Sequence, residues 1–159
     1  MSLVRRAAPD DVADMLRLVR ALAAYEHEPD AVETTEAMLR ETLFGPRPIV
    51  HAHVAEADGR VVGVAIWFLN YSTWTGRPGL YLEDFMVEDG QRGRGTGRAL
   101  FRALAAEAVA RGCARMDWSV LDWNEPALGF YRAIGAREMT EWRPWRLDGE
   151  ALARIAYST

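Results

Sequence analysis

The feature that most restricts the fold is a pair of β-rich runs, residues 49–56 and 60–71, joined by a short link containing Asp58-Gly59. A tight turn of this kind needs positive φ, which Asp and Gly tolerate, so the runs are predicted to fold back as an antiparallel hairpin. A third β-rich run, 79–87, follows a turn at 74–78. A glycine- and arginine-rich loop, 91–97, then leads into a helical pattern that reaches about residue 111. Leu100, Phe101, Leu104, Ala105 and Ala108 share one face of that helix, and Gly112 is a natural stop.

The flanking segments extend the pattern. Residues 3–7 form a short strand, and Pro9-Asp10-Asp11 opens a helix with Val12, Met15, Leu16, Val19 and Leu22 at helical spacing. Thr34 or Thr35 caps a second helix through Phe44, ended by Gly45-Pro46. After Gly112 come a strand at 115–121, a short helix from Glu125 to about Ile134, and a final strand that includes 143–147. Hairpins early and a strand–helix–strand crossover later predict an α/β fold, with a mixed central sheet and helices on both faces. There is no repeat, low-complexity tract or linker, so residues 1–159 read as a single domain.

Composition removes several function classes. The chain has no lysine, and all nineteen basic side chains are arginines. That excludes a P-loop ending in Gly-Lys-Ser/Thr, a kinase strand lysine and any Schiff-base lysine. A net charge of −4 argues against a nucleic-acid partner. The first ten residues lack an apolar signal core, and the longest uncharged stretch, 61–76, carries Asn70, Ser72 and Thr73. No membrane span or membrane partner is expected, and the cytoplasm is the expected location. Cys113, the single cysteine, reads as a small packing residue; His51 and His53 share a strand face but do not make a metal site.

Three segments look chemical. The loop Gln91-Arg92-Gly93-Arg94-Gly95-Thr96-Gly97 joins a strand to a helix. Its glycines let the backbone turn sharply, and the first-turn N–H groups of a helix attract phosphate. A glycine-rich turn with solvated arginines has the same local sequence. A dinucleotide site fits poorly, because Glu88 to Arg92 separate strand from glycines and Asp117 lies early in its strand. In the second segment, Glu83-Asp84 interrupts the apolar strand Tyr81-Leu82-Glu83-Asp84-Phe85-Met86-Val87. Regular alternation puts the two acids on opposite faces; either serves as a base or is satisfied structurally. In the third, Asn124 caps a helix and Pro126 suits its first turn, ahead of Phe130-Tyr131 and Gly135.

Arg92-x-x-Gly95-x-Gly97 after a strand, followed by Asn124 and Phe130-Tyr131-x-x-x-Gly135, resembles the GNAT superfamily of acetyl-coenzyme A-dependent N-acetyltransferases. Tyr81-Leu82-Glu83-Asp84-Phe85, Trp123-Asn124-Glu125-Pro126, Ala24-Tyr25-Glu26 and Trp142-Arg143 narrow the resemblance to the diamine (spermidine/spermine) and thialysine acetyltransferases, over nearly the whole chain.

The resemblance implies a GNAT-like sheet whose middle strands splay apart and admit the pantetheine arm of acetyl-coenzyme A. Backbone groups of Phe85, Met86 and Val87 would bind that arm. Arg92, Gly93, Arg94, Gly95, Thr96 and Gly97 would hold the pyrophosphate, and Asn124 and Tyr131 would also contact the cofactor. Glu83 would act as base through water, and Tyr131 as the acid that protonates the departing thiolate. Tyr25, Glu26, Trp74, Glu83, Asp84 and Trp142 would receive a cationic amine through charge and ring faces.

Ser72, two residues before Trp74, and Thr140 stand where the polyamine enzymes carry acids, so a shorter diamine or a thialysine-like amino acid is as good a substrate as a long polyamine. The resemblance also implies a homodimer. Competing functions are a non-catalytic acyl-coenzyme A sensor and a protein N-terminal or lysine acetyltransferase.

Overall fold

The computed structural model describes residues 2–158, whose contacts cluster into two compact units, Met1–Leu121 and Asp122–Thr159. The first unit holds one five-stranded sheet in the order β1 (Leu3–Arg6), β2 (His51–Ala57), β3 (Arg60–Ser72), β4 (Arg77–Val87) and β5 (Met116–Trp118). Neighbours from β1 to β4 are antiparallel, while β4 and β5 are parallel, joined by a crossover through α3 (Thr96–Ala110). The mixed sheet predicted from sequence is therefore present. Asp58 and Gly59 take φ values of 52° and 74° in the β2–β3 turn, as the hairpin requires.

Helices cover both faces. Before α1 (Val12–Tyr25), Pro9–Asp11 makes a single 3-10 turn. Asp11 fixes this entry: it is buried, accepts two hydrogen bonds from Arg5 (2.7 and 2.9 Å) and takes the Ala8 N–H at 2.7 Å. Of the two threonines, Thr35 caps α2 (Glu36–Phe44), accepting the Met38 N–H at 3.2 Å. Met15, Leu16 and Leu18 of α1, with Leu39 and Leu43 of α2, form one core with Val54, Val64, Ile66 and Met86 of the sheet.

Adjacent strand residues point the other way and meet α3. Gly63 lies so close to Leu100 that an added Cβ would stand 3.1 Å from its side chain. Phe101 meets Phe85 and Trp118 edge-on, with ring centroids 4.8 and 5.3 Å away.

The second unit contains α4 (Glu125–Ala133) and α5 (Gly149–Tyr157). No residue of it is buried among those described, and Trp145 is 94 % exposed. Two sequence expectations need correction. The strand at 115–121 shortens to Met116–Trp118, and 143–147 forms no strand. A strand needs a ladder partner, and among the described residues 143–147 pairs with no strand of the sheet. The unpredicted α5 has a readable signal, with Asp148 before it and Leu152 and Ile155 at i,i+3.

Candidate active site

The β3–β4 register slips at one point. Trp67 pairs with Leu82 and its neighbour Ile66 with Asp84, leaving Glu83 as the extra residue of a β-bulge. Trp67 and Ile66 point to opposite faces, so Leu82 and Asp84 do as well, although they are two residues apart. The bulge thus sets Asp84 on the α1/α2 side with Ile66 and leaves Glu83 unpaired beside it, so the regular alternation expected along this strand is interrupted at the acidic pair. The signal was two successive acids in an apolar strand. The slip itself depends on the partner strand.

Asp84 is largely buried, and its carboxyl is pushed up to about 6, first by burial, then by the charges of Glu83 and Glu26. Glu26, at the end of α1, is itself raised by burial. Structure thus gathers Glu26, Glu83 and Asp84, three of the six predicted substrate contacts. Beside them a groove of about 260 Å3 runs between α1, α2 and the sheet, with Asp84 in its wall.

At the same level β4 loses its parallel neighbour. β5 pairs with it through Leu80–Met116, Tyr81–Asp117 and Leu82–Trp118 and then ends, while β4 continues to Val87. β4 is left without that neighbour along Glu83, Asp84, Phe85, Met86 and Val87; among the described residues this lies at the edge of the sheet, not in the middle where the splay was expected.

The loop follows a 3-10 turn, Asp89–Gln91. Gly93 and Gly95 have φ values of 73° and 86°, which other residues adopt only with strain, and the space a Cβ would occupy is open at both. Thr96, buried, begins α3, so the first-turn N–H groups from Thr96 and Gly97 onward have no carbonyl within the helix. Arg92, Arg94 and Arg98 are all exposed, and Arg92 is also held by neighbouring groups. Arg92 pairs with Asp89 at 3.0 Å, donates to the Val87 carbonyl at 3.3 Å and lies over Tyr25.

In the second unit, the Asn124 side chain caps α4 by accepting the Ala127 N–H at 3.3 Å. Tyr131 lies on α4 with its ring centroid 5.6 Å from that of Phe130, and Trp142 is exposed in the segment between the helices. Trp74 is not brought to the carboxylates. It is 88 % exposed at the β3–β4 tip, past the six strand pairs beyond the bulge, or about 20 Å along the strand.

Sequence reasoning did not find the role of His53. Buried among β2, β3 and α3, it accepts the Trp67 indole N–H on Nδ1 at 3.1 Å, and its Nε2 lies 4.0 Å from Glu107. No group of His, Cys, Asp and Glu among the described residues could hold a metal ion. No helix there is long and apolar enough to cross a membrane.

Comparison with known proteins draws these features together. A model of the acetyltransferase (GNAT) family matches residues 14–136. A Bos taurus thialysine N-epsilon-acetyltransferase is 39 % identical, over 97 % of this chain and 96 % of its own. The chain belongs to the GNAT acetyltransferase family. An Arabidopsis thaliana L-ornithine N5-acetyltransferase is 29 % identical over 97 % of this chain and 87 % of its own. An integron cassette protein from the mobile metagenome of V. cholerae superposes with a TM-score of 0.82 at 26 % identity, covering 99 % of this chain and 98 % of that one. The chain is accordingly an acetyltransferase.

GNAT enzymes take their acetyl group from acetyl-coenzyme A, and the residues present fit that donor. The positive-φ glycines leave room for a phosphate to approach the backbone, a helix start points into that room, and Arg94 and Arg98 supply cations. The stretch of β4 beyond its pairing with β5 lies directly upstream on the same strand.

Proposed function

We propose that this GNAT protein is an N-acetyltransferase that moves the acetyl group of acetyl-coenzyme A to a primary amine of a small molecule, a diamine, polyamine or thialysine-like amino acid, by direct attack. The observation that carries this reading is the arrangement along one strand. The β4 bulge sets carboxylates where β5 leaves β4, and the same strand runs on into the glycine loop. The names of the similar enzymes agree with an amine acceptor.

Coenzyme A supplies an activated acetyl thioester. The N–H groups of residues 93–97, with Arg94, would hold its pyrophosphate, and Arg92 would brace the loop from behind. Backbone groups of Phe85, Met86 and Val87 would line the pantetheine arm and polarise the carbonyl. Asn124 would also contact the cofactor, as the family resemblance implies.

An alkyl ammonium with a pKa near about 10 must lose a proton before it attacks. The bulge carboxylates accept that proton, with Glu83 as the base that the family resemblance implies. Tyr131 returns a proton to the leaving sulfur. Tyr25 and Trp142 add ring faces for the cation. Exposed Trp142, Trp145, Leu152, Ile155 and Tyr157 support a homodimer, in which a second copy covers this apolar surface and Trp74 completes the acceptor wall. A cytoplasmic location fits an enzyme of coenzyme A and a small amine.

The test is thiol release from acetyl-coenzyme A with diamines, polyamines, thialysine, lysine and a basic peptide. Turnover with a small amine supports the reading. Binding of coenzyme A without turnover on any acceptor overturns it in favour of a sensor.

A further inference from the structure

We infer that Arg17 of α1 is a positioning residue for the coenzyme A loop: through Glu88 it fixes the point from which the glycine run at 93–97 departs. This deepens the acetyl-transfer reading and rests only on its placement of coenzyme A at that loop.

Glu88 is the joint between strand and loop. β4 ends at Val87, and the 3-10 turn Asp89–Gln91 follows. The Glu88 N–H donates to the Val62 carbonyl at 3.0 Å, one step beyond the last β3–β4 pair, Gly63 with Val87. Its own carbonyl accepts the Gln91 N–H at 2.9 Å, which closes the turn. Its half-buried side chain accepts from Arg17 and, at 2.7 Å, from Arg60. One residue thus ties together the end of the sheet, the first turn of the loop and α1.

Arg17 is oriented to hold that carboxylate. Asp14, one turn earlier in α1, accepts from its Nε at 3.0 Å and from its Nη2 at 2.8 Å. Nη2 also donates to the Val61 carbonyl at 2.8 Å, and Nη1 donates to Glu88. A planar guanidinium held by three bonds has little freedom left, so its fourth bond has one direction. A lone surface ion pair contributes little. This pair is half-buried and bonded into a network, the setting in which removing one partner is felt.

The loop needs such a fixture. Gly93, Gly95 and Gly97 bring the freedom that lets backbone approach a phosphate, and that freedom is lost when the phosphate binds. Fixing the flanks of the loop beforehand reduces the loss. α1 does so at two places. Arg17 holds Glu88 before the turn, and Tyr25, about 12 Å further along the helix, meets Arg92 after it. Met15, Leu16 and Leu18 bury the same helix in the core, so both tethers end on a rigid element.

Calorimetry of coenzyme A binding tests this with wild type, Arg17→Ala, Glu88→Ala, the double variant and Arg60→Ala, each first checked for a native thermal melt. Arg17→Ala and Glu88→Ala should each raise the dissociation constant about ten-fold, the effect of losing a hydrogen bond to a charged partner. The double variant should lose no more than either single one, because both changes cut the same tether. Arg60→Ala removes an exposed partner and should stay within about two-fold. In thiol release with one responsive amine, KM for acetyl-coenzyme A should rise in step, while kcat and the KM for the amine hold. Acetyl-pantetheine, which has no pyrophosphate to reach the loop, should be used equally by wild type and Arg17→Ala. If Arg17→Ala does not fold, Glu88→Gln, which keeps the shape and loses the charge, should show the same pattern at about three-fold. An unchanged dissociation constant in the folded variants, additive losses in the double variant, or an equal loss with acetyl-pantetheine overturns the inference and leaves acetyl transfer intact. A wild type that binds coenzyme A without turnover overturns acetyl transfer, and the calorimetric cycle still decides this inference. Absence of coenzyme A binding removes both.

Discussion

The guanidinium of Arg92 lies 5.0 Å from the centroid of the Tyr25 ring, joining the end of α1 to the start of the glycine loop. The same side chain holds Asp89 and the Val87 carbonyl, so it fastens the loop at three points. Arg92→Ala should weaken coenzyme A binding about ten-fold in calorimetry. Tyr25→Ala should lose two- to five-fold, matching a cation–π contact of about 0.5–1 kcal/mol, while Tyr25→Phe should stay near wild type because the ring face remains.

If Tyr131 is the acid, Tyr131→Phe removes the proton and little else. Turnover should fall by about 10² or more, with the dissociation constant for coenzyme A changing only a few-fold. Rapid-quench turnover set beside equilibrium binding measures the two separately. Equal loss in both would make Tyr131 a binding group.

Asp84 should cost the enzyme stability at neutral pH. Its folded carboxyl is raised to about 6, above the ordinary 3.8, so folding favours the protonated form. The penalty is absent below the unfolded value, grows as pH rises through 6, and then levels. Asp84→Asn should therefore be more stable than wild type at pH 8, by on the order of 1 kcal/mol, and nearly equal at pH 4. Chemical denaturation at those two pH values tests this, and a variant that is both sturdier and less active ties the cost to function.

His53 should produce the reverse slope. Burial lowers its pKa first, with Arg6 adding to the effect, and its Nδ1 accepts from Trp67, so the folded protein holds the neutral ring. The unfolded chain binds a proton more readily below about 6.5, so this contribution is present above that pH and is lost as pH falls. Thermal melts should drop by a few degrees between pH 7 and pH 5. His53→Gln, which can still accept from the indole, should flatten that drop.

For the dimer, the combined substitutions Trp145→Ser and Ile155→Asp should convert a two-chain species to one chain in sedimentation velocity. Unchanged sedimentation would place the contact elsewhere.

Much of the fold was legible because its signals act within a turn of chain. Asp58-Gly59 could tolerate positive φ, Thr35 and Asn124 had side-chain oxygens one turn from a helix N–H, and Gly112 and Gly135 could take the left-handed φ that ends a helix. The glycine loop, the acidic pair and the family were readable for the same reason: each is a short, ordered run of residue types.

Tertiary structure decided how those residues are used. Asp84 faces away from the Leu82 side only because β3 pairs with β4 out of step, and nothing within β4 sets that register. Asp84 became hard to ionise first because the fold buries it, and then because Glu83 and Glu26, the latter far away in sequence, put their charges near it. Arg92 found a ring face because the fold brought Tyr25, at the end of α1, beside it. Segment 143–147 has the composition of a strand but, among the described residues, joins no ladder. Backbone dihedrals and caps are short-range quantities. Burial, register and the field of distant charges depend on which remote segments the completed core brings together.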